Sequence, residues 1–176
     1  MRKFFYLLLL TILSFRLSAA VAAEPSNVRV EFVHPEHFTD FRIEGRDEVA
    51  SAPIFRDAVS SHLYPVVSKR FPGQTLVLRF TDIDLGGRLG NRPRFNDVRF
   101  YHQLGPPIRL SFDYSLLDSK GKVVAGGSKS LLEQDYLRPY VNLPQSLKSS
   151  PVFYEVASLT KWVQGLEPSS ARIAQD

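Results

Sequence analysis

The sequence predicts an α/β (α+β) two-layer fold: a mixed, mostly antiparallel sheet of four to five strands, packed on one face by two helices. The predicted order is β-α-β-β-β-β-α. Three observations carry this expectation. Residues 51–71 and 152–166 place apolar side chains at steps of three and four, the spacing of one helical face. Residues 28–33, 75–85 and 108–116 alternate apolar and polar side chains, the period of a strand. The strand patterns fall on both sides of the first helix pattern, so one parallel pairing joined by a helical crossover is the simplest topology.

Residues 1–23 read as a signal peptide and stand outside the fold. Arg2 and Lys3 precede an apolar run from Phe4 to Leu13, and small residues follow at Ser18, Ala19, Ala20, Ala22 and Ala23. The run is short for a membrane span and Arg16 interrupts its far end. Cleavage is expected near Ala22 or Ala23, giving a soluble periplasmic or secreted protein with no stable membrane insertion. Residues 24–166 are then a single α/β domain and 167–176 a flexible C-terminal tail. The chain has 22 Lys and Arg against 18 Asp and Glu, a net charge of +4. The leader contains three of those bases and no acid, which leaves 19 against 18. Overall charge therefore gives no reason to expect a nucleic-acid partner, and no basic face accompanies the arginines described below. Cysteine is absent. That excludes disulfides, thiol nucleophiles, thiolate metal sites and a lipid anchor on an N-terminal cysteine.

Taken in order, residues 28–33 alternate Val28, Val30 and Phe32 against Arg29 and Glu31, and Pro35 ends this first strand. Residues 38–50 read as an ordered loop. His34 and His37 have a spacing that could join Asp40 or Asp82 around a metal, but Pro35 between them favours exposed loop histidines. The first helix is expected from Ser51 to Phe71, with Pro53 in its first turn and Pro72-Gly73 ending it. Pro65 should bend or split it after Tyr64.

The second strand, 75–85, carries the clearest anomaly. Leu76, Leu78 and Phe80 share the core face, and an unbroken strand would place Asp82 and Asp84 on that same face. Unpartnered buried carboxylates are costly. Ile83 and Leu85 have the opposite parity, so the strand is expected to bulge at Thr81 and turn the acids outward or toward the arginines that follow. Residues 86–94 then read as a loop with three glycines and with Arg88, Arg92 and Arg94. Arginine forks and glycine-permitted backbone N–H groups suit anion or partner contact. The spacing fits neither a phosphate-binding nor a dinucleotide-binding loop.

A short strand at 98–101 and the punctuation Gly105-Pro106-Pro107 lead into strand 108–116, which has apolar residues on one face only. Asp118-Ser119-Lys120-Gly121 turns the chain into the return strand at 122–132, and Gly126-Gly127 there suggests a bulge or a close backbone approach. One face of this hairpin should be covered and the other wet. Residues 131–147 are irregular. Ser150 and Pro151 then open the second helix, and Trp162 is expected to pack on the sheet.

Several of these pieces occur together in a known pattern: Val33-His34-Pro35-Glu36, Thr81-Asp82-Ile83-Asp84-Leu85-Gly86-Gly87, residues 107–114, Gly121-Lys122-Val123 and Asp135-Tyr136. On these the chain resembles the exported proteobacterial family catalogued as domain of unknown function 3016, over roughly residues 28–166. The resemblance implies an exported, soluble protein and carries across no catalytic residues. The order of elements also resembles that of small accessory domains of envelope transport systems, by topology alone.

For function, the leading expectation is a non-enzymatic soluble binding or accessory protein of the bacterial envelope. No nucleophile elbow, HExxH motif, thiol or framed pair of acids is present. Its partner would be an envelope protein or an anionic envelope polymer, met by the wet hairpin face and the glycine–arginine loop, and no cofactor is expected. The alternative is a small hydrolase or a divalent-cation-binding protein built on Asp82 and Asp84. His102 is the candidate third ligand there, with Asp97 and Asp113 as further oxygen donors.

Overall fold

The computed structural model describes residues 27–90, 98–102, 104–135 and 149–167. Four strands form the main sheet: β1 (Val28–Phe32), β2 (Thr75–Asp84), β5 (Ile108–Leu117) and β6 (Val123–Glu133), in the order β1-β2-β5-β6. β1 and β2 are parallel, while β2/β5 and β5/β6 are antiparallel. The helix α1 (Glu48–Arg70) joins β1 to β2, and α2 (Phe153–Gly165) closes the described chain.

Both helices bury their apolar stripes in one cluster with a single face of the sheet. Phe55, Val59, Leu63 and Val67 of α1 and Val156, Leu159 and Val163 of α2 meet Leu76, Leu78, Phe80, Leu110 and Phe112. Phe32, Phe41, Phe55, Phe80 and Phe112 form a run of rings through this core, with successive centroids 5.3–5.6 Å apart. Trp162 packs edge-on against Phe112 at 4.9 Å and Tyr114 at 5.2 Å, on the sheet as its place in the helical stripe predicts. No helix covers the other face of the sheet among the described residues, and Arg79, Arg109, Ser128 and Ser130 are exposed there. The fold class is the one the sequence predicts.

Four local expectations are corrected. α1 begins at Glu48, a turn before Ser51, because the Asp47 carboxylate accepts from the Ala50 N–H at 2.7 Å and caps the helix there. Pro53 consequently lies inside the helix, and Pro65 does not split it. Pro65 and Ser61 are both exposed, so solvent can take the Ser61 carbonyl that the proline leaves without a donor. Residues 86–94 are not all loop: β3 (Arg88–Leu89) pairs antiparallel with β4 (Arg99–Phe100) as a small second sheet. α2 starts at Phe153, and Ser150 reaches only the Val152 N–H, at 3.4 Å.

The hairpin follows the sequence more closely. Asp118 accepts from the Lys120 and Lys122 N–H groups at 2.8 and 2.9 Å, and Gly121 takes φ 79° to complete the turn. Gly126 sits where a Cβ would lie 3.0 Å from the Tyr114 carbonyl oxygen, the close approach that its glycine suggests.

Candidate functional site

The β2 ladder shifts register between Phe80 and Asp82, leaving Thr81 as the extra residue of a bulge. Leu76, Leu78 and Phe80 before it and Ile83 and Leu85 after it are all buried, while Asp82 and Asp84 turn to the uncovered side. Core packing thus holds on both sides of the bulge. The parity change expected at Thr81 is the one observed.

Each acid then finds a partner in the chain. Asp82 accepts from the Thr39 N–H at 2.8 Å and from the Thr39 hydroxyl at 3.0 Å. Asp84 lies 3.4 Å from the Arg109 guanidinium on the neighbouring strand. Burial raises the Asp84 pKa first and the Asp40 carboxylate raises it further, against the lowering effect of Arg109. Among the described residues, the arginine that meets Asp84 is thus a strand residue, Arg109.

Among the described residues the most constrained cation is Arg99, on β4. Its side chain is 9% exposed and forms a two-pronged pair with Asp40, both contacts at 2.9 Å. The same guanidinium donates to the carbonyls of Leu85 (3.3 Å), Gly86 (3.2 Å) and Arg42 (3.1 Å). Desolvation works against its charge, but the hydrogen bonds and charge of Asp40 outweigh this and raise its pKa. Asp40 is itself fixed by the backbone: its N–H donates to the Ile83 carbonyl at 3.1 Å and its carbonyl accepts from Leu85 at 2.9 Å. Arg99 thereby ties β4, the 40–42 segment and the end of β2 together.

Glu155 lies in the first turn of α2 and is fully buried. One carboxylate oxygen accepts from the Gly86 N–H at 3.3 Å, and the other has no hydrogen-bond partner. Burial pushes its pKa up to about 7, opposed by its own backbone N–H, the Gly86 N–H and the Arg99 charge. Tyr101 and Tyr154 pack together at 4.7 Å between ring centroids, one following β4 and the other preceding Glu155. Gly87, with φ 75°, lies so close to the Phe100 carbonyl that a side chain there would collide with the backbone.

The other predicted residues are scattered. Arg88 is exposed on β3, and His102 is exposed beyond β4. Arg92, Arg94 and Asp97 lie outside the described residues. Asp113 faces Arg79 at 4.0 Å and accepts from the Ser128 hydroxyl at 2.6 Å. His34 and His37 are exposed and stack at 5.9 Å, with His34 beside Glu36 at 3.2 Å. Among the described residues no group of three or more His, Cys, Asp or Glu side chains could hold a metal ion.

Three residues that organise this region, Asp40, Arg99 and Glu155, were not singled out together from the sequence. A lone charge between Val98 and Phe100 in a strand is the only local hint for Arg99. Glu155 looks like an ordinary acid in a helical first turn.

A family model described as "Protein of unknown function (DUF3016)" matches residues 26–165. No curated protein matches the chain. Among solved structures, that of a minor lipoprotein from Acinetobacter baumannii is similar at 13% identity, covering 78% of this chain and 90% of that one with a TM-score of 0.29, too distant to carry an argument. Among the described residues no helix is long and apolar enough to cross a membrane.

Proposed function

This chain belongs to the DUF3016 family of proteins of unknown function, and from that footing we propose that it acts by binding, as a non-enzymatic accessory protein of the bacterial envelope. The observation that carries this reading is the saturation of the charged groups at the end of β2. Asp82 is held by Thr39, Asp84 by Arg109, and Asp40 by Arg99, which also collects three carbonyls. A general acid or base must reach a substrate proton within hydrogen-bond distance. Glu155, the one carboxyl among the described residues whose pKa is raised to about 7, is wholly enclosed. No specific observation favours the hydrolase or cation reading of Asp82 and Asp84.

The contact surface we assign is the uncovered face of the sheet. It presents Arg79, Asp113 and Arg109 together with the hydroxyls of Thr81, Ser111, Ser128 and Ser130, on strands braced from behind by the core. Arg88, exposed on β3, is assigned to partner contact as well, and so are Arg92 and Arg94, which lie outside the described residues. Such a rigid polar surface with both signs of charge suits an envelope protein or an anionic envelope polymer. The leader read in residues 1–23 gives it a periplasmic or secreted location.

A photoreactive residue placed at Arg109 or Ser130, in the full chain expressed in its native host, tests this. Adducts with an envelope component are expected from these two positions and not from Tyr64 or Lys69, which are exposed on α1. Adducts from the α1 positions alone, or from none of the four, would overturn the assignment.

A further inference from the structure

The two edges of the main sheet are treated differently. β1 is five residues long, and the Arg56 guanidinium donates to its Val30 carbonyl at 3.2 Å. β6 is eleven residues long and, among the described residues, pairs with β5 alone. No described segment bonds along its outer side. A long unpaired edge presents a row of N–H and C=O groups able to take another strand. The sequence of this edge carries neither proline nor, between Val123 and Leu132, any charge except Lys129.

We propose that β6 pairs with the β6 strand of a second copy of this chain, antiparallel about a two-fold axis at Ser128, to make one continuous eight-stranded sheet. The strand is self-complementary in that register. Directly opposite residues in an antiparallel pair share a face, so keeping both helical layers on one side allows only registers of matching parity. Centring the axis on Lys129 would set two ammonium groups directly opposite. Centring it on Ser128 sets Lys129 opposite Gly127, which carries no charge and has the Tyr114 ring beside it. It also sets Leu132, 65% exposed, opposite Val124, 38% exposed, twice across the axis, and Leu131 opposite Ala125.

The irregularity near the hairpin turn, where Val124 is the extra residue, leaves Ala125–Glu133 in regular pairing with β5. On the helix side, a groove of about 320 Å³ runs beside the edge, lined by Lys129, Leu131, Lys161 and Trp162 among others. A second sheet edge would roof it. Strand pairing alone covers less than the roughly 1,200–2,000 Å² of stable interfaces, so a reversible dimer with dissociation in the micromolar range or weaker is expected.

The chain has no cysteine, so Ser128→Cys in the full-length protein introduces a single thiol on the proposed axis. Opposed Cα atoms about 4.5–5.5 Å apart fall within disulfide reach. Mild oxidation should convert Ser128→Cys to a covalent dimer in a concentration-dependent way. Ser130→Cys, roughly 14 Å from its own counterpart in this register, should stay monomeric. Both side chains are exposed and neither is in the core, so folding, followed by Trp162 fluorescence, is expected to survive in both variants. Failure of Ser128→Cys to cross-link at concentrations up to about 1 mM, well above the expected dissociation range, or equal cross-linking of the two variants, would overturn the proposal.

Discussion

Replacing Glu155 by Gln removes an ionisation while keeping the shape and the acceptor for the Gly86 N–H. The carboxyl is fully buried, one of its oxygens is unpartnered, and its folded-state pKa is raised from 4.5 to about 7. A folded state that holds a proton more tightly than the unfolded chain is favoured while that proton is present. The stability linked to Glu155 is therefore complete below pH 4.5, falls as pH rises toward 7, and is fully lost above it. A displacement from 4.5 to about 7 corresponds to about 3 kcal/mol. For a chain of this size that is roughly 6–12 °C in Tm. Asp40, Arg99, Tyr101 and Tyr154 surround the group and are common to both proteins, so the difference between wild type and Glu155→Gln isolates the titration. Urea unfolding followed by the fluorescence of Trp162, the only tryptophan, measures it from pH 5 to 8.5. The variant should match wild type to within about 1 kcal/mol near pH 5 and exceed its stability by about 3 kcal/mol at pH 8.5. Parallel pH profiles for the two proteins would refute the buried-carboxyl reasoning.

Four further outcomes are expected. Arg99→Ala strands Asp40 and frees the Leu85, Gly86 and Arg42 carbonyls, and should cost about 3 kcal/mol in the same assay, with Arg99→Lys recovering only part of it. Gly87→Ala must fit a Cβ at φ 75° against the Phe100 backbone and should lose more than about 2 kcal/mol, whereas Gly121→Ala, at φ 79° in open space, should lose about 1 kcal/mol. Asp47→Ala removes the α1 cap and should cost about 1 kcal/mol, with Asp47→Asn close to wild type. The intact mass of protein recovered from the periplasm of an expressing host should correspond to loss of the leader at Ala22 or Ala23, and a full-length mass in that fraction would count against the targeting assignment.

The backbone plan was legible because it rests on local signals. Period-two and period-three-to-four patterns place every element of the main sheet and both helices. The bulge at Thr81 was legible for a stricter reason: only a parity change lets Leu78, Phe80, Ile83 and Leu85 all reach the core. Pro53 misled because proline at a helix start is a statistical preference, whereas Asp47 supplies an actual hydrogen bond one turn earlier. β3 and β4 are two residues each, too short for periodicity to register. The charge network escaped because its members are far apart in sequence. Arg99 meets Asp40 across 59 residues and Glu155 meets Gly86 across 69, and no local pattern encodes such a meeting. Asp84 was correctly turned outward, and among the described residues its partner is Arg109, which stands directly across the ladder from it.

The central claim is that the acids at the end of β2 are occupied by donors of this chain, leaving the uncovered sheet face to make contact. Thermal unfolding with and without millimolar Ca²⁺, Mg²⁺ or Mn²⁺ tests it most directly, since a ligand bound by the folded state alone must raise Tm. The same Tm, within about 1 °C, is expected with each cation. A saturable rise of several degrees that Asp82→Asn or Asp84→Asn abolishes would contradict it.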